Sequence, residues 1–524
     1  MEPARLSIVL KYSLKGDVED ESLKKHGIFT YLSTDHGHYW EDGGATYHGR
    51  YSAFSLNRGQ EGDRWQVNRE LVDAVHNNAL IGQTNYFDKA NREFLNCEER
   101  MPQAVTFQAG LDFLEKNHDE DNWFLQIETF DPHEPFFTQP EYKKAFAHEY
   151  DGPLKDWPPY YPVTEGEDSV RHMRMEYAAL ITMCDRYLGK VLDKMDEYNL
   201  WEDTMLIVNT DHGFLLGEHG WWAKTVMPYY EEISRTPLFV YDPRSKVCAQ
   251  RRSQLTQTID LAPTILEFFG QEIPESMEGK SLRSVIERGE KIHDYVIFGD
   301  HAAHCNITDG NWVYMKAPVD GAPNYEYTLM PTHMGARFGV DELQDVQLQE
   351  PFAFTKGCRT MKIRAKESLN SPVNFGSKLF CLAEDPKQEH SIDNIAKETE
   401  LANEMIRIMR ENESTPERLA RFGFPAEGQV TEEDMLRLRK GEFEDRIPDS
   451  LKELKWEKGA LNMYYVMVRF VPQGMMERAG TALKELAGEQ AVSVQMMLQL
   501  IGQAIPQEHQ PMVYYFSVLA SRTE

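Results

Sequence analysis

The sequence predicts an α/β fold: a mostly parallel sheet sandwiched by helices, a smaller C-terminal antiparallel sheet plus helix, and a β-α-β appendage. Three observations predict it. Three apolar, strand-like runs each end abruptly in Asp and His: 28–33 before Asp35, His36 and His38, 123–130 before Asp131 and His133, and 204–209 before Asp211 and His212. Helical stretches lie between those runs, and strands alternating with helices imply a parallel sheet covered on both faces. After about residue 290 the pattern changes to short runs separated by turn residues.

Taken in order, residues 101–117 are periodic. Residues 172–198 read as a long amphipathic helix through Met175, Leu180, Met183, Tyr187, Leu188, Val191, Leu192 and Met195. A further strand, 236–243, precedes a helix-like segment, TQTIDLAPTILEFFG. The runs DYVIFGD, NWVYMKAP, YEYTLMP and SKLFCLAED predict one small antiparallel sheet, and a helix at about 393–412 follows. Residues 413–458 are charged without a sustained apolar face and read as a linker with short helices. The chain then predicts strand 463–471, helical 474–505 and strand 512–520. The expected divisions are 1–290, 291–425, and 426–524 for linker and appendage.

The 524 residues are 41% hydrophobic and 27% charged, which excludes a mostly disordered chain and a multi-span membrane protein. Lys+Arg is 56 against 85 Asp+Glu, a net charge of −29, so a general basic surface for nucleic acid or anionic lipid is excluded. Six cysteines with no C-x-x-C make neither a disulfide framework nor a zinc ribbon. The N-terminus shows no basic region, long apolar stretch and small-residue cleavage site, so the chain as given is expected in the cytoplasm. Residues 490–507 are uncharged but rich in Gln, a semi-polar helix and not a membrane span.

Ligands of parallel sheets sit at the carboxyl ends of the strands, so the three Asp/His clusters are expected to converge on one crevice. Asp211 and His212 offer oxygen and nitrogen donors suited to a divalent cation. The plainer alternative is an N-cap Asp and a surface His before Gly213. His133, with Pro132 before it and Pro135 two positions on, has a restricted backbone and could donate to an anion or a leaving oxygen. A rigid surface turn would look the same. Lys224 follows Trp221 and Trp222, so a partly desolvated ammonium aimed at an anion stands against an ordinary solvated lysine. Asp35, His36 and His38 read as ligands, substrate contacts or exposed turn residues.

Together these residues resemble the sulfatases of the alkaline phosphatase superfamily. NTDHGFLLGEHGWWAKTVMPYYEEISRTPLFVYDPR is similar to the family's late metal-site motif, and NWFLQIETFDPHEPF to its second histidine motif. QTIDLAPTILEFFG and LFCLAEDPKQE resemble later segments, and GIFTYLSTDHGHYWEDGGATYHGR resembles a bacterial variant of an earlier one. The resemblance runs from about residue 20 to 420. It implies an alkaline phosphatase-like fold, Asp211 and His212 as metal ligands, and His133 and Lys224 at the sulfate or the leaving-group oxygen. Asp35, His36 and His38 would line the substrate pocket. The implied cofactor is a divalent ion, Ca²⁺ first among candidates, and the implied partner a small-molecule or glycan sulfate ester.

The family opens with paired metal-binding aspartates and a C-x-P-x-R or S-x-P-x-R motif whose Cys or Ser becomes formylglycine. This sequence holds neither at its start. Its one formal match, Ser414-Thr415-Pro416-Glu417-Arg418, reads as a helix start with Pro at its first position. The expectation is a sulfuric-ester hydrolase whose nucleophile-bearing segment is absent from this chain, inactive in this truncated form. The alternatives are an inactive relative kept as a binding or assembly module, and a phosphodiesterase or phosphonate monoester hydrolase. Association as a homo-oligomer, or with a full-length partner through the appendage, is left open.

Overall fold

The computed structural model describes residues 6–7, 23–68 except 45, 86–299 except 153–155, 161 and 164, 303–365 except 320–321, 375–443, and, beyond those, 451, 454–457, 459–461, 463–464 and 473–504 except 489. Its main sheet has strands β1 (Leu6–Ser7), β2 (Phe29–Thr34), β3 (Ala53–Leu56), β4 (Trp123–Thr129), β5 (Leu206–Thr210) and β6 (Leu238–Tyr241) in the order β3-β2-β4-β1-β5-β6. β2 runs parallel to β3 and β4. β1 is antiparallel to both β4 and β5, so β4 and β5 point the same way. The apolar runs of the sequence thus become the parallel body of the sheet, with β6 antiparallel to β5 at its edge. No long crossover helix separates β5 from β6, and an antiparallel return needs none.

β1 was not legible in the sequence. Its backbone pairs Leu6 with Thr129 and Thr210, and Ser7 with Glu128 and Asn209, bridging the centre of the sheet.

Helices cover both faces. On one face, α2 (Pro102–Asn117) and α3 (Glu167–Glu197) pack Phe107, Leu111, Leu114, Met183, Tyr187 and Val191 against Ile127. Gly110 of α2 makes this close: an added Cβ would stand 2.3 Å from Ile127 Cδ1. α1 (Tyr86–Phe94) lies before them in the chain. On the other face α4 (Leu261–Phe268) buries Leu261, Ile265 and Leu266 with Leu32, Phe124 and Ile207. The helix predicted from 172 begins five residues earlier because Glu167 and Asp168 supply acids to its first turn, after Gly166.

The second region contains two antiparallel sheets where the sequence predicted one. β7 (Val296–Gly299), β8 (Cys305–Thr308), β9 (Trp312–Lys316) and β13 (Lys378–Cys381) form one, in the order β13-β9-β8-β7. β10 (Tyr325–Thr328), β11 (Gln347–Gln349) and β12 (Thr360–Arg364) form the other, so the YEYTLMP run belongs to a separate sheet. β8, β11 and β12 carry polar or interrupted patterns that gave no clear strand signal.

α5 (Ile395–Glu411) buries Leu401, Met405, Ile406 and Met409 on the first of these sheets. The short helices expected within 413–458 are present, and they pack into a core. α6 (Pro416–Arg421) and α7 (Glu432–Phe443) bring Leu419, Phe422, Phe424, Val430 and Met435 into the same core, so its packing continues past residue 425. The apolar residues there are spaced across two short helices and a turn, and no single helical period joins them. The S-x-P-x-R match is a capped helix start: the Thr415 side chain accepts from Arg418 N–H and Pro416 opens α6.

The last region has its own core of Leu451, Met463, Tyr464, Leu483, Val492, Met497, Leu500 and Ile501. The predicted helical stretch is two helices, α8 (Gln473–Ala487) and α9 (Val494–Ala504), separated near Gly488. Met463 and Tyr464 are helical and not strand; 465–472 and the predicted strand 512–520 lie outside the described residues. No described helix is long and apolar enough to cross a membrane.

Candidate active site

Because β2, β4 and β5 point the same way, the residues that follow them lie along one edge of the sheet. The first two Asp/His clusters form a single packed unit. Asp35 Oδ1 accepts a 2.6 Å hydrogen bond from the backbone N–H of Phe130. The Phe130 ring contacts His36 at 5.7 Å and His133 at 4.4 Å between centroids. His36 Nδ1 is 3.4 Å from Glu128 Oε1, and Tyr39 donates to Glu128 Oε2 at 2.8 Å. His38 joins the same group, its ring 5.0 Å from His36 and 6.2 Å from Phe130, with Nδ1 2.6 Å from Glu41 Oε2.

Burial dominates the electrostatics of this unit. The Asp35 carboxyl is pushed up to about 7 by desolvation, against the opposing bonds from Gln60 and Phe130 N–H. Asp131 is also held well above the usual carboxylate range, by burial first and by the charge of Asp35 second. Each therefore keeps its proton to higher pH than a solvated carboxyl does.

The third element arrives as a loop and hairpin, 211–225. Asp211 accepts from His212 N–H at 2.9 Å, and His212 Nδ1 donates to Gly213 O at 2.8 Å. Gly213 packs against the 231–234 helix, where an added Cβ would stand 1.8 Å from Glu232 O. Glu218 accepts from Leu216 N–H and from Arg174, while His219 stacks on Tyr230 at 3.6 Å and meets Glu232 at 3.1 Å. Much of this motif thus shapes the loop.

Trp221 and Trp222 are buried, which carries Lys224 into the protein, only 3% exposed. Lys224 Nζ lies 3.5 Å from Glu134 Oε2 and 5.6 Å from the centre of the Phe214 ring. Burial pushes the Lys224 ammonium down, opposed by the charges of Glu134, Asp211 and Glu61. Its neighbours Ala223 and Thr225 both hold left-handed backbone, φ 70° and 76°. Half-buried Glu61 is pushed up to about 8, by desolvation first and by Glu134 second.

Glu134 was missed in the sequence. It is 1% exposed, accepts from Tyr160 OH at 2.6 Å, and links His133 to Lys224. The prolines that single out His133 flank Glu134 equally, and this was the available signal. Gln60, which donates to Asp35 Oδ2 at 3.0 Å, had no sequence signal.

The structure therefore joins Asp35, His36 and His133 through Phe130, and Lys224 to the same unit through Glu134. Asp211 reaches it through its charge on Lys224. As a metal centre the described residues are incomplete. Asp211 Oδ2 and His212 Nε2 lie 3.8 Å apart, and no described group of three or more His, Cys, Asp or Glu could hold a metal ion. A hard cation takes about six ligands, so this donor pair does not by itself fit one.

Residues 21–271 match the family model described as Sulfatase. Among curated relatives, an N-acetylglucosamine-6-O-sulfatase of Bacteroides thetaiotaomicron is 30% identical over 186 residues, 33% of each chain. An arylsulfatase of Clostridium perfringens is 28% identical over 40% of this chain and 48% of its own. The multifunctional alkaline phosphatase superfamily protein PehA of Trinickia caryophylli is 28% identical over 44% and 49%. The matched stretches thus span a third to a half of these relatives. A solved structure in complex with its substrate D-glucosamine-2-N,6-O-disulfate aligns at TM-score 0.46 and 14% identity, over 77% of this chain and 81% of that chain.

Proposed function

We infer, from a chain whose residues 21–271 form a sulfatase-family domain, a hydrolase of sulfuric esters acting on a sulfated sugar. The observation that carries the reading is the buried Lys224 ammonium, 3.5 Å from Glu134 and next along from His133. A desolvated cation held by one carboxylate attracts an anion far more strongly than a surface lysine does. Lys224 binds sulfate oxygens. His133 assists departure of the alcohol, its Nδ1 donating to the Glu134 carbonyl and so fixing the ring. Partly exposed His38 faces the sugar side, with Asp35 and His36 buried behind it, and the 6-O-sulfatase relative supports a glucosamine-type substrate.

Asp211 and His212 would give two donors to a divalent ion, for which we propose Ca²⁺. When bound, such an ion supplies positive charge at the sulfate. The described donor set does not complete its shell, so no step is assigned through it.

Hydrolysis of an aryl sulfate by the full chain with Ca²⁺ tests the reading. Turnover would also overturn the expectation that this chain is inactive; given turnover, Lys224→Ala and His133→Ala should each lower kcat/KM roughly 10²-fold or more. Turnover of aryl phosphodiesters without aryl sulfates would replace the reading with a phosphodiesterase. Binding of sulfated sugar with no turnover of either ester would replace it with a binding module.

A further inference from the structure

The centre of the main sheet holds a slot. β4 and β5 both pair with β1, so they stand two strand spacings apart, about 9.6 Å. β1 fills that width only at one end, with Leu6 between Thr129 and Thr210 and Ser7 between Glu128 and Asn209. Among the described residues no strand lies between 123–127 of β4 and 206–208 of β5. On their far sides both strands are paired, β4 with β2 and β5 with β6.

A cavity of about 130 Å³ marks the same place. Leu125 and Ile127 of β4 and Ile207 of β5 line it, together with Met195 of α3 and Phe268 of α4. α3 and α4 cover opposite faces of the sheet. Helices on opposite faces share one cavity only where the sheet between them is open.

The walls decide what fits. A gap one strand wide, with main-chain N–H and C=O groups along both edges, calls for an extended polypeptide, which alone offers a ladder to each side. Helices on both faces demand apolar side chains in both directions, the pattern of a central strand.

β1 runs directly into the gap. Continuing its register places Ile8 level with Ile127 and Val208, Val9 with Gln126 and Ile207, and Leu10 with Leu125 and Leu206. Alternation assigns Ile8 and Leu10 to the α3 side, where Ile127 and Leu206 pack, and Val9 to the α4 side with Ile207. Leu10 is level with the first residue of β5, and the run Ile8-Val9-Leu10 is apolar throughout. The first charge, Lys11, falls one step past that end. Glu120, Asp121 and Asp203 line the mouth there and make no ion pair among the described residues.

Residues 8–11 themselves lie outside the described residues. We propose that Ile8, Val9 and Leu10 dock in this slot as the continuation of β1, antiparallel to β4 and β5. The tether selects this occupant: Ile8 follows a residue already paired in the sheet, an effective concentration that a separate chain does not match. The docked strand completes the sheet that carries Phe130 and Asp211 at its functional edge. The proposal stands whether or not the chain turns over sulfate esters.

Hydrogen exchange on the full chain, read by mass spectrometry, tests it. Amides of 8–10 should exchange at least roughly 100-fold more slowly than in an unstructured peptide, equally at low and high protein concentration. Val9→Asp should remove that protection and speed exchange of 123–127 and 206–208. Lys11→Glu, past the end of the slot, should speed exchange of 8–10 about threefold or more by repulsion from Glu120, Asp121 and Asp203. Exchange of 8–10 at the unstructured rate overturns the proposal, as does protection that survives Val9→Asp. Protection lost on dilution assigns the slot to a second copy and overturns it too. Should Val9→Asp not fold, Lys11→Glu decides: unchanged exchange of 8–10 overturns the proposal.

Discussion

Asp35 Oδ1 accepts a hydrogen bond from the backbone N–H of Phe130 at 2.6 Å, across 95 residues of chain. This bond ties the end of β2 to the end of β4 and fixes the floor on which His36 and His133 pack. It is made to a carboxyl whose titration burial pushes up to about 7.

Stability should therefore fall as pH rises from about 4 to about 7. The folded carboxyl titrates near 7 against an ordinary value of 3.8, so within that window the unfolded chain has released a proton that the folded chain keeps. Below the window both states are protonated, and above it the penalty is constant, about 4 kcal/mol at most. Asp131 acts in the same direction. Asp35→Asn should raise the urea midpoint at pH 7.5 and flatten the slope. Identical slopes for Asp35→Asn and the native chain would refute the assignment.

Removing Glu134 should strand the Lys224 ammonium. Glu134→Ala is expected to cost about 3–5 kcal/mol, because it leaves a buried charge without its partner. The double substitution Glu134→Gln with Lys224→Met should be far less damaging than the two single losses summed. A double-mutant cycle in urea reads the coupling directly, and additivity would show that the 3.5 Å pair does not interact.

Gly213→Ala should displace the Asp211–His212 turn, since its Cβ would stand 1.8 Å from the Glu232 carbonyl oxygen. Backbone cannot yield there as a flexible side chain can. We expect loss of at least 2 kcal/mol of stability together with loss of aryl sulfate turnover, measured by thermal unfolding and initial rates. A fully stable Gly213→Ala would mean that the turn is looser than this packing indicates.

Phe422→Ala should cost about 3–5 kcal/mol, as for a fully buried aromatic. A change under 1 kcal/mol in urea unfolding would restore the linker reading of this stretch.

Legibility in the sequence followed physical range. Strand runs ending in Asp and His, and the long apolar stripe of α3, are local signals, and they placed the sheet and its functional edge. What failed depended on distance in the chain. Leu6–Ser7 is strand only because Thr129 and Thr210 accept it, and Phe422 is core only because α5 lies beneath it. Glu134 escaped notice because its role depends on Lys224, 90 residues away. Glu218, His219 and Glu232 carried a motif whose contacts include the Leu216 backbone, Tyr230 and Arg174 of α3, so pattern alone did not separate shape from chemistry.

The left-handed residues on either side of Lys224 have a consequence for ligand discrimination. Non-glycine residues hold such backbone only where the surrounding packing over-determines it, and Thr225 is β-branched. Lys224 thus has its backbone fixed by these neighbours and its side chain confined and dehydrated by burial when the chain folds, not when a ligand arrives. An incoming anion meets a charge already aimed, and little further ordering entropy is lost on binding. Selection among anions then rests on how well each reaches a stationary point, with no adaptive movement of the lysine to rescue a poor fit.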